Sequence, residues 1–306
     1  MRWRSVSLTV EPELAEAVAD VLGRITKSGA AVSAGPLPDA SAPLTVQAFY
    51  PDDNDAKRTE QAIREAVWHL SQVRPLPEPA FQVLDEEDWA EAWKAHYHPL
   101  PIGDRLVIIP AWERIDPGKR IPVFLDPGMA FGTGAHPTTR LCLLAIEQRL
   151  QPGAVVVDLG CGSGILSVAA ARLGALRVLA CDIDPVAVTA TQRSARANDV
   201  DDRVEAYLGS LPETLARLES IGLRADILVA NILAAVVTRL LGTGLAQVLA
   251  EDGLLVASGI LADQAEDVIR AAEASGLKLE RADADGDWRA LRLTKKSAAP
   301  PRGRRY

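Results

Sequence analysis

Cysteine is scarce in this chain: Cys142, Cys161 and Cys181 are all that 306 residues contain. An odd, scattered set supports neither a disulfide framework nor metal-ligand spacing. Long apolar runs are missing too. The most apolar window, residues 227–250, is interrupted by Asn231, Thr238, Arg239 and two glycines. A membrane span needs about 20 largely apolar residues. The opening MRWRSVSLTVEPEL lacks the apolar stretch of a signal peptide. These absences predict a reduced, cytoplasmic protein without membrane association. Positive charge is also short, with a formal net charge of −8. The last twelve residues hold Lys295, Lys296, Arg302, Arg304 and Arg305 and no acid, which leaves −13 on the 294 residues before them. A nucleic-acid binder normally presents a basic face. An acidic body suits a basic partner or a cationic ligand, or serves solubility alone. The tail, 297–306, is expected to be a disordered basic end.

What the chain does have is core-forming residues, at 48% hydrophobic content, and a length that suits two domains. Residues 2–10 alternate like a strand, and 11–25 carry Leu14, Val18, Leu22 and Ile25 at helical spacing. Strand-like pieces follow near 30–34 and 44–50. A second helix, about 55–70, puts Ala62, Ile63, Ala66, Val67 and Leu70 on one face, and AFQVL at 80–84 closes the series. The order β-α-β-β-α-β predicts a small α+β ferredoxin-like domain over 1–84. Residues 85–99 then read as a linker helix with Trp89, Ala92, Trp93 and His96 on one stripe. His96 and His98 lie two apart and do not face each other on a helix, so no metal site is expected there. The stretches 105–112 and 120–127 read as strands bridging into the second domain, with 85–125 as the connecting region. From 126 to 296 the pattern is α/β. A helix is expected at 138–150, and strands near 155–159, 177–182, 203–207, 225–230, 252–258, 277–282 and 288–294. Strands alternating with helices predict a parallel sheet. No helix separates the last two strands, so the final one is expected to run antiparallel.

The most informative stretch is VVVDLGCGSG, residues 155–164. A glycine-rich turn after a strand commonly cradles a pyrophosphate. Here the spacing is G-x-G-x-G, over Gly160, Gly162 and Gly164. The dinucleotide fingerprint G-x-G-x-x-G fails at Ile165. Two acids flank the turn. Asp182 ends the next strand, where a ribose diol is held in many nucleotide folds. Asp158 precedes the first glycine, where a carboxylate repels a phosphate and attracts a cation. Two unit charges about 4 Å apart are worth on the order of 4 kcal/mol near a protein surface. S-adenosylmethionine is the adenosine ligand that carries a sulfonium and an ammonium and no phosphate. The other reading is a tight turn with solvated aspartates. Asn231, in VANI, ends another strand at the edge where open α/β sheets bind ligands. It can hold a target amine, cap the following helix, or both. In 126–140 the glycines and prolines suggest a lid, with Phe131 covering the donor or the incoming amine. Thr138 and Thr139 open the next helix. His136 is either a general base or a residue holding the loop together.

Six segments together, LDPGMAFGTGAHPTTRLCL, DLGCGSGILSVAAARLGA, CDIDPVAV, VANILA, SGIL and DWRALRL, resemble the ribosomal protein L-eleven methyltransferase family (PrmA). The resemblance implies a class I S-adenosylmethionine-dependent methyltransferase: an α/β Rossmann-like seven-stranded sheet with an antiparallel last strand, behind the ferredoxin-like domain. It implies methylation of lysine and N-terminal amino groups of a large-subunit ribosomal protein, free or on the ribosome. It places donor contacts on Thr139, Gly160, Asp182 and Asn231, with Asp158 opening the glycine motif and Gly162 within it. It puts substrate recognition in the N-terminal domain. Alignment of the amine falls to Asn231 and coverage to Phe131. The competing readings are an RNA methyltransferase with an RNA-binding N-terminal module, a nicotinamide-dependent oxidoreductase, and a non-catalytic donor-binding module. Residues 1–80 hold 8 Lys/Arg against 11 Asp/Glu, which weighs against RNA and predicts no direct nucleic-acid binding.

Overall fold

A computed structural model describes residues 3–26, 30–34, 43–72, 74–84, 99–113, 115–125 and 136–295. The chain divides into two compact units, Met1–His98 and Pro99–Tyr306. Of the linker helix expected at 85–99, residues 85–98 lie outside the described residues, as does the basic tail at 297–306.

The first unit runs β1 (Trp3–Val10), α1 (Pro12–Thr26), β2 (Ala30–Ala34), β3 (Leu44–Pro51), α2 (Ala56–Ser71) and β4 (Ala80–Leu84). Its sheet order is β2-β3-β1-β4, with every pairing antiparallel, which is the ferredoxin-like arrangement. Alternation makes the fold. Val6, Leu8 and Val10 of β1 point inward, opposite Ala48, Val46 and Leu44 of β3. Val18 and Leu22 of α1 and Ile63 and Val67 of α2 close the core over them.

The second unit contains β5 (Leu100–Ile102), β6 (Leu106–Pro110) and β7 (Ile121–Leu125) as a sheet of their own. These include the stretches expected to bridge the domains. They pack inside the second unit instead, because β6 is apolar and buried at all five positions. Leu106, Ile108, Val123 and Leu125 join the core of the α/β layer. Then come α3 (Pro137–Arg149), β8 (Val155–Leu159), α4 (Ile165–Arg172), β9 (Arg177–Asp182), α5 (Pro185–Ala197), β10 (Val204–Leu208) and α6 (Leu211–Ser220). The unit continues through β11 (Ala225–Asn231), α7 (Ala234–Gly242), β12 (Leu249–Leu261), α8 (Ala265–Ala274), β13 (Leu277–Asp285) and β14 (Trp288–Lys295).

The seven strands lie in the order β10-β9-β8-β11-β12-β14-β13. β14 runs antiparallel to both neighbours and the other pairings are parallel. All five residues of β8 are buried, because helices cover both faces of the sheet. Val156 faces the layer containing Cys142, Ile146, Val168 and Ala169. Val155, Val157 and Leu159 face the layer of Leu218, Val237, Leu241 and Val268. Glu147 on α3 ties the small sheet down: its carboxylate accepts the N–H groups of Asp104, Arg105 and Leu106 at 2.8–3.1 Å. Among the described residues no helix is long and apolar enough to cross a membrane.

Candidate active site

Because β8, β9, β11 and β12 are parallel, their carboxyl ends meet at one edge, and the acids and the asparagine sit there. β8 ends at Leu159 and α4 begins at Ile165, so five residues make the turn. Gly160, Gly162 and Gly164 have φ of 83°, 53° and 80°, the left-handed region that glycine enters without strain. That alternation is the physical content of G-x-G-x-G. The N–H groups of Gly160 and Cys161 both donate to the Cys181 carbonyl, at 2.8 and 3.0 Å, laying the turn against the end of β9. A Cβ on Gly160 would lie 2.4 Å from Ile232 Cγ2, so only glycine lets the turn approach the Asn231–Ile232 segment this closely.

Asp158 is 1% exposed. Its Oδ2 accepts from Ser167 Oγ at 2.6 Å. Its Oδ1 is buried without a hydrogen-bond partner among the described residues. Burial pushes the carboxyl up to about 6, helped by the charge of Asp182 and opposed by the Ser167 bond. A buried carboxylate oxygen with nothing donating to it is a site for a donor or a cation. Asp182 Oδ2 accepts the Gly162 N–H at 3.1 Å and Oδ1 accepts the Asp184 N–H at 3.0 Å, so its orientation is set by the glycine turn. Beside it, Ile183 is 80% exposed and Leu208, opposite Asp182 in the β9–β10 register, is 58% exposed. Exposed aliphatic side chains flanking an acid suit the flat face of a base whose ribose the acid holds. Composition and motif reading missed both, since exposure cannot be read from residue type.

Asn231 ends β11, and its Nδ2 donates to Thr139 Oγ1 at 3.3 Å. That bond fixes which way the amide points and leaves Oδ1 to accept. Thr138 and Thr139 are 2% and 1% exposed at the start of α3. His136 precedes that helix and caps it. Its Nδ1 accepts the Thr138 N–H at 3.3 Å and lies 2.6 Å from Thr138 Oγ1, and its ring meets Trp288 edge-on at 5.2 Å. Of its two sequence roles, these contacts favour holding the loop, since the capping nitrogen is already committed. Phe131 lies outside the described residues. Cys161 and Cys181 are buried, which pushes both thiols up and keeps them protonated, so neither serves as a nucleophile.

The residues present fit S-adenosylmethionine. They offer Asp182 for a diol, the unpartnered Asp158 oxygen for a positive charge, and exposed aliphatic surface for a base. With the seven-stranded sheet and its antiparallel β14, this defines a class I S-adenosylmethionine-dependent methyltransferase.

Comparison with known proteins narrows the class. The family model described as "Ribosomal protein L11 methyltransferase (PrmA)" matches residues 2–296, and the chain belongs to that family. It is 39% identical to the ribosomal protein L11 methyltransferase of Chloroflexus aurantiacus over 318 residues, covering 94% of this chain and 97% of that one. Identity to the protein of the same name from Herpetosiphon aurantiacus is 38%, with the same coverage. Among solved structures, the ribosomal protein L11 methylase of Lactobacillus delbrueckii subsp. bulgaricus is 34% identical. It superposes with a TM-score of 0.57, over 65% of this chain and all of that one. Family membership decides for a protein methyltransferase over the RNA-modifying and nicotinamide-dependent readings.

Proposed function

We propose that this protein transfers methyl groups from S-adenosylmethionine to amino groups of ribosomal protein L11, on lysine side chains and the N-terminal amine. The observation that carries the proposal is the convergence of Asp158, Gly160, Gly162, Asp182, Thr139 and Asn231 on one sheet edge, in a chain that matches the L11 methyltransferase family from residue 2 to residue 296. When bound, S-adenosylmethionine supplies a methyl group already activated on a sulfonium. The chain must therefore hold, neutralise and align the amine. A solvated lysine ionises near 10.4 and must lose a proton before its lone pair can react. Asn231 Oδ1, the amide atom not engaged by the Nδ2–Thr139 bond, is the acceptor assigned to the amine. Orientation of this kind contributes roughly 7–11 kcal/mol. Phe131 is assigned the covering role. Asp158 answers the donor's positive charge and Asp182 its ribose.

Residues 1–84 are assigned to recognition of the ribosomal protein and 126–296 to the chemistry, with 85–98 joining the two units, β5–β7 packed within the second, and 297–306 as a basic tail. The acidic body favours a basic protein partner, steered by charge, and speaks against direct nucleic-acid binding. Ribosomal proteins are made in the cytoplasm, which is the location this assignment implies. The test is incubation with methyl-labelled donor and either purified L11 or ribosomal RNA. Label in L11 alone is expected. Label in RNA, with L11 unmodified, would overturn the assignment.

A further inference from the structure

The SGIL segment at 258–261 has no part in the site as built above. Ser258 is fully buried, at 0% exposure, on β12. It stands in register with Asn231 on β11, and its carbonyl accepts the Ile232 N–H at 3.1 Å. Its hydroxyl lies 3.2 Å from the Thr138 carbonyl and 3.4 Å from the Arg289 carbonyl. Those carbonyls belong to the start of α3 and to β14. Burying a hydroxyl in a sheet between helices is unfavourable unless it is bonded. Here its partners are two elements far apart in sequence that meet at the site.

The strand is shaped to allow this. The register of β12 against β14 shifts between Ala257 and Ile260. At Gly259, φ is +80° and a Cβ would lie 2.5 Å from the Ile232 carbonyl oxygen. The irregularity lets the β12 backbone close directly on the Asn231–Ile232 peptide. On the other side, the Arg289 guanidinium donates to the Gly286 and Trp288 carbonyls at 2.8 and 2.9 Å, bracing the hairpin whose Trp288 meets His136.

We propose that Ser258 is a positioning residue for methyl transfer. Its hydroxyl fixes the Thr138 carbonyl and so the adjacent Thr139, whose own hydroxyl sets the Asn231 amide. Its backbone fixes the peptide that follows Asn231. Ser258 thus reaches Asn231 from two sides without touching substrate. The inference rests on the functional reading given above.

The experiment compares kcat and KM for L11 in the full-length protein and in Ser258→Ala, Asn231→Ala and the double variant. Ser258→Ala should lower kcat roughly tenfold, the loss of one buried hydrogen bond expressed as misalignment. KM for L11 should stay within about twofold. In the Asn231→Ala background the same substitution should change little, because the residue it acts through is gone. A role in folding alone would give the same fractional loss in both backgrounds. An undiminished kcat in Ser258→Ala, or a double variant losing the product of the two single losses, overturns the proposal. In the unliganded protein, the Asn231 side-chain amide resonance, identified by its disappearance in Asn231→Ala, should shift in Ser258→Ala. Its staying in place counts equally against the proposal. Should Ser258→Ala fail to fold, the near-isosteric Ser258→Cys, a weaker donor, carries the same comparison. The wild-type control keeps the two ideas apart. No transfer to L11 by wild type refutes the functional reading, whereas wild-type transfer with an unaffected Ser258→Ala refutes this inference alone.

Discussion

Replacing Asp158 by Asn should stabilise the free protein while weakening donor binding. The carboxyl is 1% exposed, and burial raises it from 3.8 to about 6. In the unfolded chain it ionises near 3.9. Between those values the folded state holds a proton that the unfolded state has lost. The contribution to stability is therefore fully present below the unfolded value and is lost as pH rises through about 6. At pH 7 the ionised group works against folding by about 3 kcal/mol, from roughly two pKa units at 1.36 kcal/mol each. Asp158→Asn removes most of that penalty and can keep a bond to Ser167 Oγ. Without donor at pH 7, its melting midpoint should rise by several degrees. Near pH 4 the gain should shrink to about 0.5 kcal/mol, since the folded state is then protonated and the unfolded state roughly half so. Binding a cationic donor needs the ionised form. Donor affinity of the wild type should fall about tenfold from pH 7 to pH 5, and the variant should bind weakly with no such slope. Scanning calorimetry at the two pH values, with and without S-adenosylmethionine, reads all of this. A variant less stable than wild type at pH 7, or a wild-type affinity flat between pH 7 and pH 5, would refute the reasoning.

Asp182→Ala removes a charged acceptor for the ribose and the bond that orients the Gly162 N–H. Isothermal titration should show donor affinity lower by about 1.5–3 kcal/mol, and unchanged affinity would remove Asp182 from the donor site. Asn231→Ala should lower kcat more than donor affinity, and an equal fall in both would make Asn231 a donor ligand only. Gly160→Ala sets a Cβ 2.4 Å from Ile232 Cγ2 at a φ of 83°. It should lower stability by about 1–3 kcal/mol and weaken donor binding, both readable in one thermal-shift titration with S-adenosylmethionine. A chain beginning at Asp85 should bind donor normally yet lose most methylation of L11 at low substrate concentration. Wild-type turnover at sub-saturating L11 should fall with added salt. Equal activity of the shortened chain would move recognition to residues 126–140.

Strand positions and directions were legible because β8, β9 and β11 are short apolar runs separated by helical periodicity and strong turn residues, whereas the order of the strands in the sheet was not. The glycine turn and its acids were legible because left-handed φ at alternate residues demands glycine, and a carboxylate in that position excludes phosphate. The reach of β12 was not. It extends over Leu249–Leu261, beyond the expected 252–258, because pairing continues past the irregularity at Gly259. The stretches 105–112 and 120–127 read correctly as strands, but which unit they joined depended on tertiary packing. Ser258 and Glu147 were invisible for a related reason. Their meaning lies in partners 120 and 41–43 residues away, and one polar residue in an apolar run carries no periodic signal. Ile183 and Leu208 looked like ordinary hydrophobic residues until their exposure beside Asp182 set them apart.

The central claim is that amino groups of ribosomal protein L11 receive the methyl groups. Mass spectrometry of intact large-subunit proteins, from the source organism with and without this gene, tests it most directly. L11 from the deletion strain should be lighter by a whole number of methyl increments. The wild-type gene should restore the mass and an Asn231→Ala copy should restore little of it. An L11 mass identical in the two strains, or a loss of methyl groups confined to another component, would contradict the account.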